Sequence, residues 1–159
     1  VKHVLSLTPV SDVHMPFLLQ VYASMREEEM RLTGWHERQV ADFLNMQFNL
    51  QHQHYVKYYP NAQMDVILVN GQPAGRLYVE RTSKEIRIMD ICLLPDFRGR
   101  GIGYHYMRQL MDEGQEKSLI VSLHVEKNNP SKRFYDRLGF TIAEDRDVYW
   151  FMEWQPIHL

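Results

Sequence analysis

The sequence predicts an α+β fold, a mixed and mostly antiparallel twisted sheet with a central parallel strand pair and about four helices. Three observations predict it. Two helical patterns follow a short opening strand, three apolar segments of strand period come next across short turns, and a strand–helix–strand order then requires a right-handed crossover between parallel strands. At 159 residues, 45% hydrophobic and 24% charged, the chain is expected to fold as one domain, residues 1–159, with a sizeable core.

Taken in order, Lys2 to Leu7 read as a short strand that Thr8-Pro9 ends. Ser11 and Asp12 are candidate N-caps for a helix running to about Leu32, with Pro16 in its first turn. Leu18, Leu19, Tyr22, Met25 and Met30 form its apolar stripe, and Thr33-Gly34 stops it. A second helix is expected from about Glu37 to Tyr55, carrying Val40, Phe43, Leu44, Phe48 and Leu50. His52 and His54 lie near its end, but positions two apart on a helix point away from each other. No carboxylate or cysteine cluster joins them, so no metal site is expected.

From Met64 the period becomes that of a strand, and Asn70-Gly71 is a strong hairpin signal. Ala74 to Glu80 return, a turn near Thr82-Ser83-Lys84 follows, and Ile86 to Leu94 form the third strand. Ile102, Tyr106, Met107, Leu110 and Met111 mark an amphipathic helix, with Gly114 as its expected terminator. Leu119 to Glu126 read as the next strand. Asn128-Asn129-Pro130 open a last helix closed by Gly139, and Phe140–Ile142 with Val148–Trp154 form a final hairpin.

The formal net charge of −2 gives no argument for a nucleic-acid or membrane partner. The single cysteine, Cys92, excludes an intrachain disulfide and fits a reducing compartment. No apolar segment is long enough to span a bilayer and no signal-peptide pattern opens the chain, so the expected setting is cytoplasmic.

Between the third strand and the third helix stands Arg98-Gly99-Arg100-Gly101-Ile102-Gly103. Glycines there let backbone N–H groups approach a ligand closely, and the helix that follows adds its positive end. Arg98 and Arg100 sit beside that end, where a bound polyanion such as a pyrophosphate would relieve their repulsion. The plainer alternative is a glycine-rich turn with two solvated arginines. The dinucleotide fingerprint needs G-x-G-x-x-G, and here Tyr104 fills the place of the last glycine. A phosphate loop of the Walker type needs Gly-Lys-Ser/Thr, which is absent.

Arg98-x-x-Gly101-x-Gly103 after Leu93-Leu94-Pro95 resembles the acetyl-CoA-binding motif of the GNAT (Gcn5-related) N-acetyltransferases. Asn128-Asn129-Pro130-Ser131-Lys132-Arg133-Phe134-Tyr135-Asp136-Arg137-Leu138-Gly139-Phe140 resembles a second segment of that family, with Ser131 in place of its usual alanine. The order of elements is similar over nearly the full length. The resemblance implies acetyl-CoA as donor substrate with no metal, held by the backbone from Arg98 through Gly99, Arg100, Gly101 and Ile102 to Gly103. It implies that the strand edge at Ile91 and Leu93 binds the pantetheine, that Asn128 touches the donor, and that Tyr135 lies near the thioester sulfur. It also admits a homodimer through the C-terminal strands.

Acetyl transfer to an amine needs a neutral nucleophile, a stabilised oxyanion and a proton for the leaving thiolate. The Leu93 N–H is the candidate oxyanion donor, if the strand bulges and splays there as in the family. Tyr135 is the candidate general acid, against the alternative of a structural tyrosine. Asp90 is the candidate base; on an unbulged strand it would share a face with Ile88 and Cys92, and the alternative is a carboxylate anchored by backbone or an arginine. His124 and Glu126 are weaker relay candidates, Glu80 weaker still, and Cys92 lacks a His partner for a nucleophile's role. Trp35, His36, Tyr55, Tyr58, Tyr59, Tyr149 and Trp150 are the candidate walls for the acceptor.

The function expected is direct, acetyl-CoA-dependent transfer to a primary amine of a small molecule or peptide. A transferase of longer acyl groups and a non-catalytic acyl-CoA-binding module are the alternatives.

Overall fold

The computed structural model describes residues 3–158. The elements run β1 (Leu5–Pro9), α1 (Met15–Arg31), α2 (Glu37–Tyr58), β2 (Gln63–Val69), β3 (Gln72–Arg81), β4 (Glu85–Leu93), α3 (Ile102–Lys117), β5 (Ile120–Glu126), α4 (Ser131–Leu138), β6 (Thr141–Arg146) and β7 (Tyr149–Trp154). All seven strands join one sheet in the order β1-β2-β3-β4-β5-β7-β6. Every pairing is antiparallel except β4 with β5, the pair that the crossover through α3 predicts.

The local chemistry explains most boundaries. Asn70 and Gly71 take positive φ (52° and 78°), the twist a two-residue hairpin between β2 and β3 demands. Pro16 sits in the first turn of α1, where its missing N–H costs nothing. His36 caps α2: its Nδ1 accepts the Arg38 N–H at 3.2 Å while its own N–H donates to Gln39 Oε1 at 2.9 Å. The first strand begins later than expected, at Leu5, and Lys2 lies outside the described residues.

One boundary differs for a packing reason. Gly114 does not end α3 but lies buried within it, and a Cβ there would come within 2.8 Å of the Leu119 carbonyl oxygen and 3.0 Å of Val121. The glycine lets the helix close on β5, and Ser118, at φ 57°, makes the left-handed turn that ends it.

The sheet separates two layers. On one face α3 and α4 cover Ile67, Val69, Leu77, Val79, Ile86, Ile88, Val121, Leu123 and Met152 with Ile102, Tyr106, Met107, Leu110 and Met111. Each such fully buried aliphatic side chain contributes about 1.5–3 kcal/mol relative to exposure. On the other face Leu18 of α1 and Phe48 of α2 close over Val66. Of the expected apolar positions, Met25 and Leu50 stay exposed, and Val21, unassigned from the sequence, is buried. Among the described residues no helix is long and apolar enough to cross a membrane.

Candidate active site

The site begins with a phase change in β4. Tyr78 of β3 pairs with Asp90 and Val79 pairs with Ile88, so Met89 is an extra residue, a bulge. Before it, Ile86 and Ile88 face the α3 layer; after it, Ile91 and Leu93 do. Without the bulge the apolar set would swap faces in mid-strand. The expectation that Asp90 shares a face with Ile88 is therefore corrected. Asp90 and Cys92 face the α1–α2 side, and the bulge lies four residues before Leu93 rather than at it.

The bulge also ends the parallel pairing. β4 follows β5 only through Glu85–Ile88 opposite Ile120–Leu123, while β5 continues to Glu126 alongside β7. Between them opens a cleft of about 670 Å³, walled by Met89–Cys92, by Leu123–Glu126 and by side chains of α1, α2 and α4.

Backbone polarity in this gap follows from the ladder. Leu94 N–H donates to the Ala74 carbonyl at 2.8 Å. In an antiparallel pair successive residues alternate between facing the partner and facing away. With Gly75 opposite Leu93, the N–H and C=O groups of Ile91 and Leu93 point away from β3, toward the cleft. Gly75 reports the same geometry: a Cβ there would lie 2.1 Å from the Cys92 carbonyl oxygen, which points at β3. The strand edge at Ile91 and Leu93 can thus receive an extended ligand as a further strand would be received, and the Leu93 N–H is available to an oxyanion.

The glycine loop adjoins this edge. After a 3-10 turn at Pro95–Phe97, Gly99 and Gly101 take φ of 73° and 79°, and Gly101 caps α3. His105 is the first residue to close a bond into the helix, to the Gly101 carbonyl at 3.0 Å. The N–H groups of Ile102, Gly103 and Tyr104 thus have no partner within the helix. Nothing lies within 4 Å of where a Cβ would stand on Gly99, Gly101 or Gly103, so a polyanion has room against this backbone. The two arginines point elsewhere: Arg98 Nε donates to the Leu93 carbonyl at 3.0 Å, and Arg100 lies over the Phe97 ring at 5.5 Å.

Across the cleft, α4 brings Tyr135 and Ser131 to the wall. Tyr135 packs against Phe134 at 5.5 Å and Phe140 at 6.0 Å. Burial first, and then the Asp90 carboxylate, raise its hydroxyl well above the usual tyrosine range, so it keeps its proton at neutral pH. Asn128 stands exposed on the preceding turn; Asn129 lines the cleft and caps α4, its Oδ1 accepting the Ser131 N–H at 2.9 Å.

Asp90 lines the floor; its Oδ2 accepts a hydrogen bond from Nε of Arg76 and lies in ion-pair contact with Nη2. The anchoring arginine allowed for in the sequence is therefore present. Arg76 itself, like Arg26 on the cleft wall, had no role assigned from the sequence, and Tyr22, expected in the apolar stripe of the first helix, lines the cleft as well. Its 14-residue separation from Asp90 spans a hairpin and the bulge, so only the folded register joins them.

The remaining candidates divide. Arg146 Nη1 lies 2.8 Å from Nε2 of His124. Arginine has only donors, so Nε2 accepts, the ring carries its proton on Nδ1, and that lone pair is unavailable to a substrate. Burial, Arg87 and Arg146 lower the His124 pKa. Cys92 is buried, and burial followed by the nearby Asp90 pushes its thiol up to about 12, which removes the thiolate a nucleophile needs. Glu126 lines the cleft; Glu80 does not. Of the expected acceptor walls, Tyr55, Tyr59 and Tyr149 face the cleft. Trp35 instead packs edge-on against Phe43 at 5.3 Å, His36 is a helix cap, Tyr58 is exposed and Trp150 lies on the opposite sheet face under Lys127. Among the described residues no group of three or more His, Cys, Asp or Glu is placed to hold a metal ion.

A family model described as "Acetyltransferase (GNAT) family" matches residues 22–140. The PaiA N-acetyltransferase of Thermoplasma acidophilum, solved with coenzyme A, superposes with a TM-score of 0.70 over 96% of this chain and 99% of its own, at 13% identity. An acetyltransferase of Thermus thermophilus gives 0.68 over 97% and 99%, at 19% identity. At such identities the likeness is one of fold. A mycothiol acetyltransferase of Corynebacterium aurimucosum is 39% identical over 62 residues, 36% of this chain; the match spans only 19% of that curated relative's length.

Proposed function

This chain belongs to the GNAT acetyltransferase family, whose donor is acetyl-CoA, and from that premise we propose that it moves the acetyl group directly to a primary amine of a small molecule or peptide. The observation that carries this reading is the splay of β4 from β5. It leaves the Ile91 and Leu93 backbone facing a cleft that Tyr135 and Asp90 also line.

The donor supplies an activated carbonyl: the amine nitrogen bonds to its carbon, the C–S bond breaks with its electron pair on sulfur, and one proton leaves nitrogen as another reaches sulfur. The Leu93 N–H donates to the carbonyl oxygen as charge gathers there. Tyr135, held protonated by its burial, gives the sulfur its proton. Asp90 offers Oδ1 to the amine and takes up its proton, directly or through water, and solvent returns a proton to Tyr135. Gly99, Gly101 and the first turn of α3 bind the pyrophosphate. Cys92 takes no part, so transfer proceeds without an acetylated enzyme.

Thiol release from acetyl-CoA across a panel of primary amines tests the reading. Release that depends on at least one amine, with the acetylated amine recovered, is expected. Tight acetyl-CoA binding with no turnover on any amine would replace it with a binding module, and preference for longer acyl-CoA donors with a longer-chain transferase.

A further inference from the structure

Arg76 lies at the cleft floor with only 5% of its side chain exposed. A buried guanidinium is tolerated only when its charge is compensated, and here three elements contribute to that. Nε and Nη2 both reach Oδ2 of Asp90 on β4. Nη2 also donates to Oε1 of Gln51 on α2 at 2.9 Å, and the guanidinium lies 4.8 Å from the centre of the Tyr78 ring on its own strand. Asp90, 27% exposed, faces the cleft, and its Oδ1 accepts no hydrogen bond from any described residue. Gln51 stands three residues beyond Phe48, the residue that seats α2 on the sheet.

Resting on the reading of this cleft as an acetyl-transfer site, we propose that Arg76 is a positioning residue for the acceptor. By holding Oδ2 of Asp90 and Oε1 of Gln51 together, it presents Oδ1 of Asp90 to the incoming amino group and fixes α2 as the far wall of the acceptor site. The guanidinium engages Oδ2 and leaves Oδ1 as the free acceptor for a substrate N–H, and the planar fork fixes the direction of that carboxylate. A lysine ammonium is a point charge and meets Oδ2 without spanning to Gln51.

Steady-state kinetics of the wild type, Arg76→Gln, Arg76→Lys and Gln51→Ala, with the best amine from the panel, test the proposal. Arg76→Gln is expected to raise the acceptor KM by about tenfold or more while the acetyl-CoA KM stays within about twofold. Arg76→Lys recovers most of kcat but keeps a raised acceptor KM. Gln51→Ala raises the acceptor KM severalfold and adds nothing further in the Arg76→Gln background. If Arg76→Gln does not fold, Arg76→Lys and Gln51→Ala carry the test. An acceptor KM unmoved in these variants, or one that rises in step with the acetyl-CoA KM, overturns the positioning role alone. A wild type that binds acetyl-CoA and acetylates no amine overturns the transfer reading, and this inference with it.

Discussion

Arg98 donates through Nε to the main-chain carbonyl of Leu93 at 3.0 Å, tying the glycine loop to the strand residue whose N–H faces the cleft. The same guanidinium reaches Sδ of Met25 on α1 at 3.4 Å. One side chain thus spans the loop, the end of β4 and the first helix. Arg98→Ala is expected to raise the acetyl-CoA KM by about tenfold, by removing the brace on Leu93 and a positive charge from the loop proposed to hold the pyrophosphate. Arg98→Lys keeps the charge and loses the planar contact, so its acetyl-CoA KM should fall between the two. Equal values for wild type and alanine variant would detach this residue from the donor.

Tyr135→Phe removes the proposed proton donor and leaves the packing against Phe134 and Phe140. The expected result is a kcat lower by about 10²-fold or more, with a smaller change in acetyl-CoA KM. Unchanged turnover on a competent amine would make Tyr135 a structural residue.

Cys92 gives a complementary test. Its thiol, pushed up to about 12 by burial and by Asp90, should resist iodoacetamide in the folded protein at pH 8 and react after denaturation. Cys92→Ala is expected to retain turnover within about threefold, because only packing is lost. Loss of activity with an isolable acetyl-cysteine would contradict direct transfer.

Gly75→Ala tests the register of β4. The new Cβ would meet the Cys92 carbonyl oxygen, a backbone atom that cannot swing aside. Overpacking of this kind costs about 1–3 kcal/mol, which in a domain of this size lowers Tm by roughly 2–4 °C per kcal/mol. A variant melting with the wild type would place Gly75 elsewhere than opposite Leu93.

His124 carries a pH signature. Its folded pKa is lowered, by burial first and then by Arg87 and Arg146, so the unfolded chain binds more protons at this ring. Stability therefore rises with pH from the folded value up to about 6.5 and is free of this penalty above it. Denaturant unfolding of wild type and His124→Gln should show the variant gaining on the wild type at pH 5 relative to pH 8. A pH-independent difference would contradict a neutral, Nδ1-protonated ring.

Much of this was legible in the sequence because it rests on local chemistry. Asn70-Gly71 specified a hairpin, Pro16 a helix start, and the spacing of Gly99, Gly101 and Gly103 a backbone cradle. The bulge was legible in part: Ile86, Ile88, Ile91 and Leu93 break the strand period by one residue, but read as a single apolar run they conceal it. The ion pair of Arg76 with Asp90 was not legible, because its geometry exists only once that extra residue is placed. Helix phase decided which aromatics reach the cleft, so Tyr55 and Tyr59 line it while Tyr58 between them faces solvent. Asn129 rather than Asn128 faces the cleft because the cap of α4 fixes which of the two points inward.

Whether the splayed edge of β4 holds the donor is decided by a crystal structure of the chain with coenzyme A. Pantetheine is expected to be hydrogen-bonded to the backbone of Ile91 and Leu93, with the pyrophosphate on Gly99–Gly103 and the thiol within reach of the Tyr135 hydroxyl. Coenzyme A bound away from the gap between β4 and β5, or with its thiol turned from Tyr135, would contradict that placement.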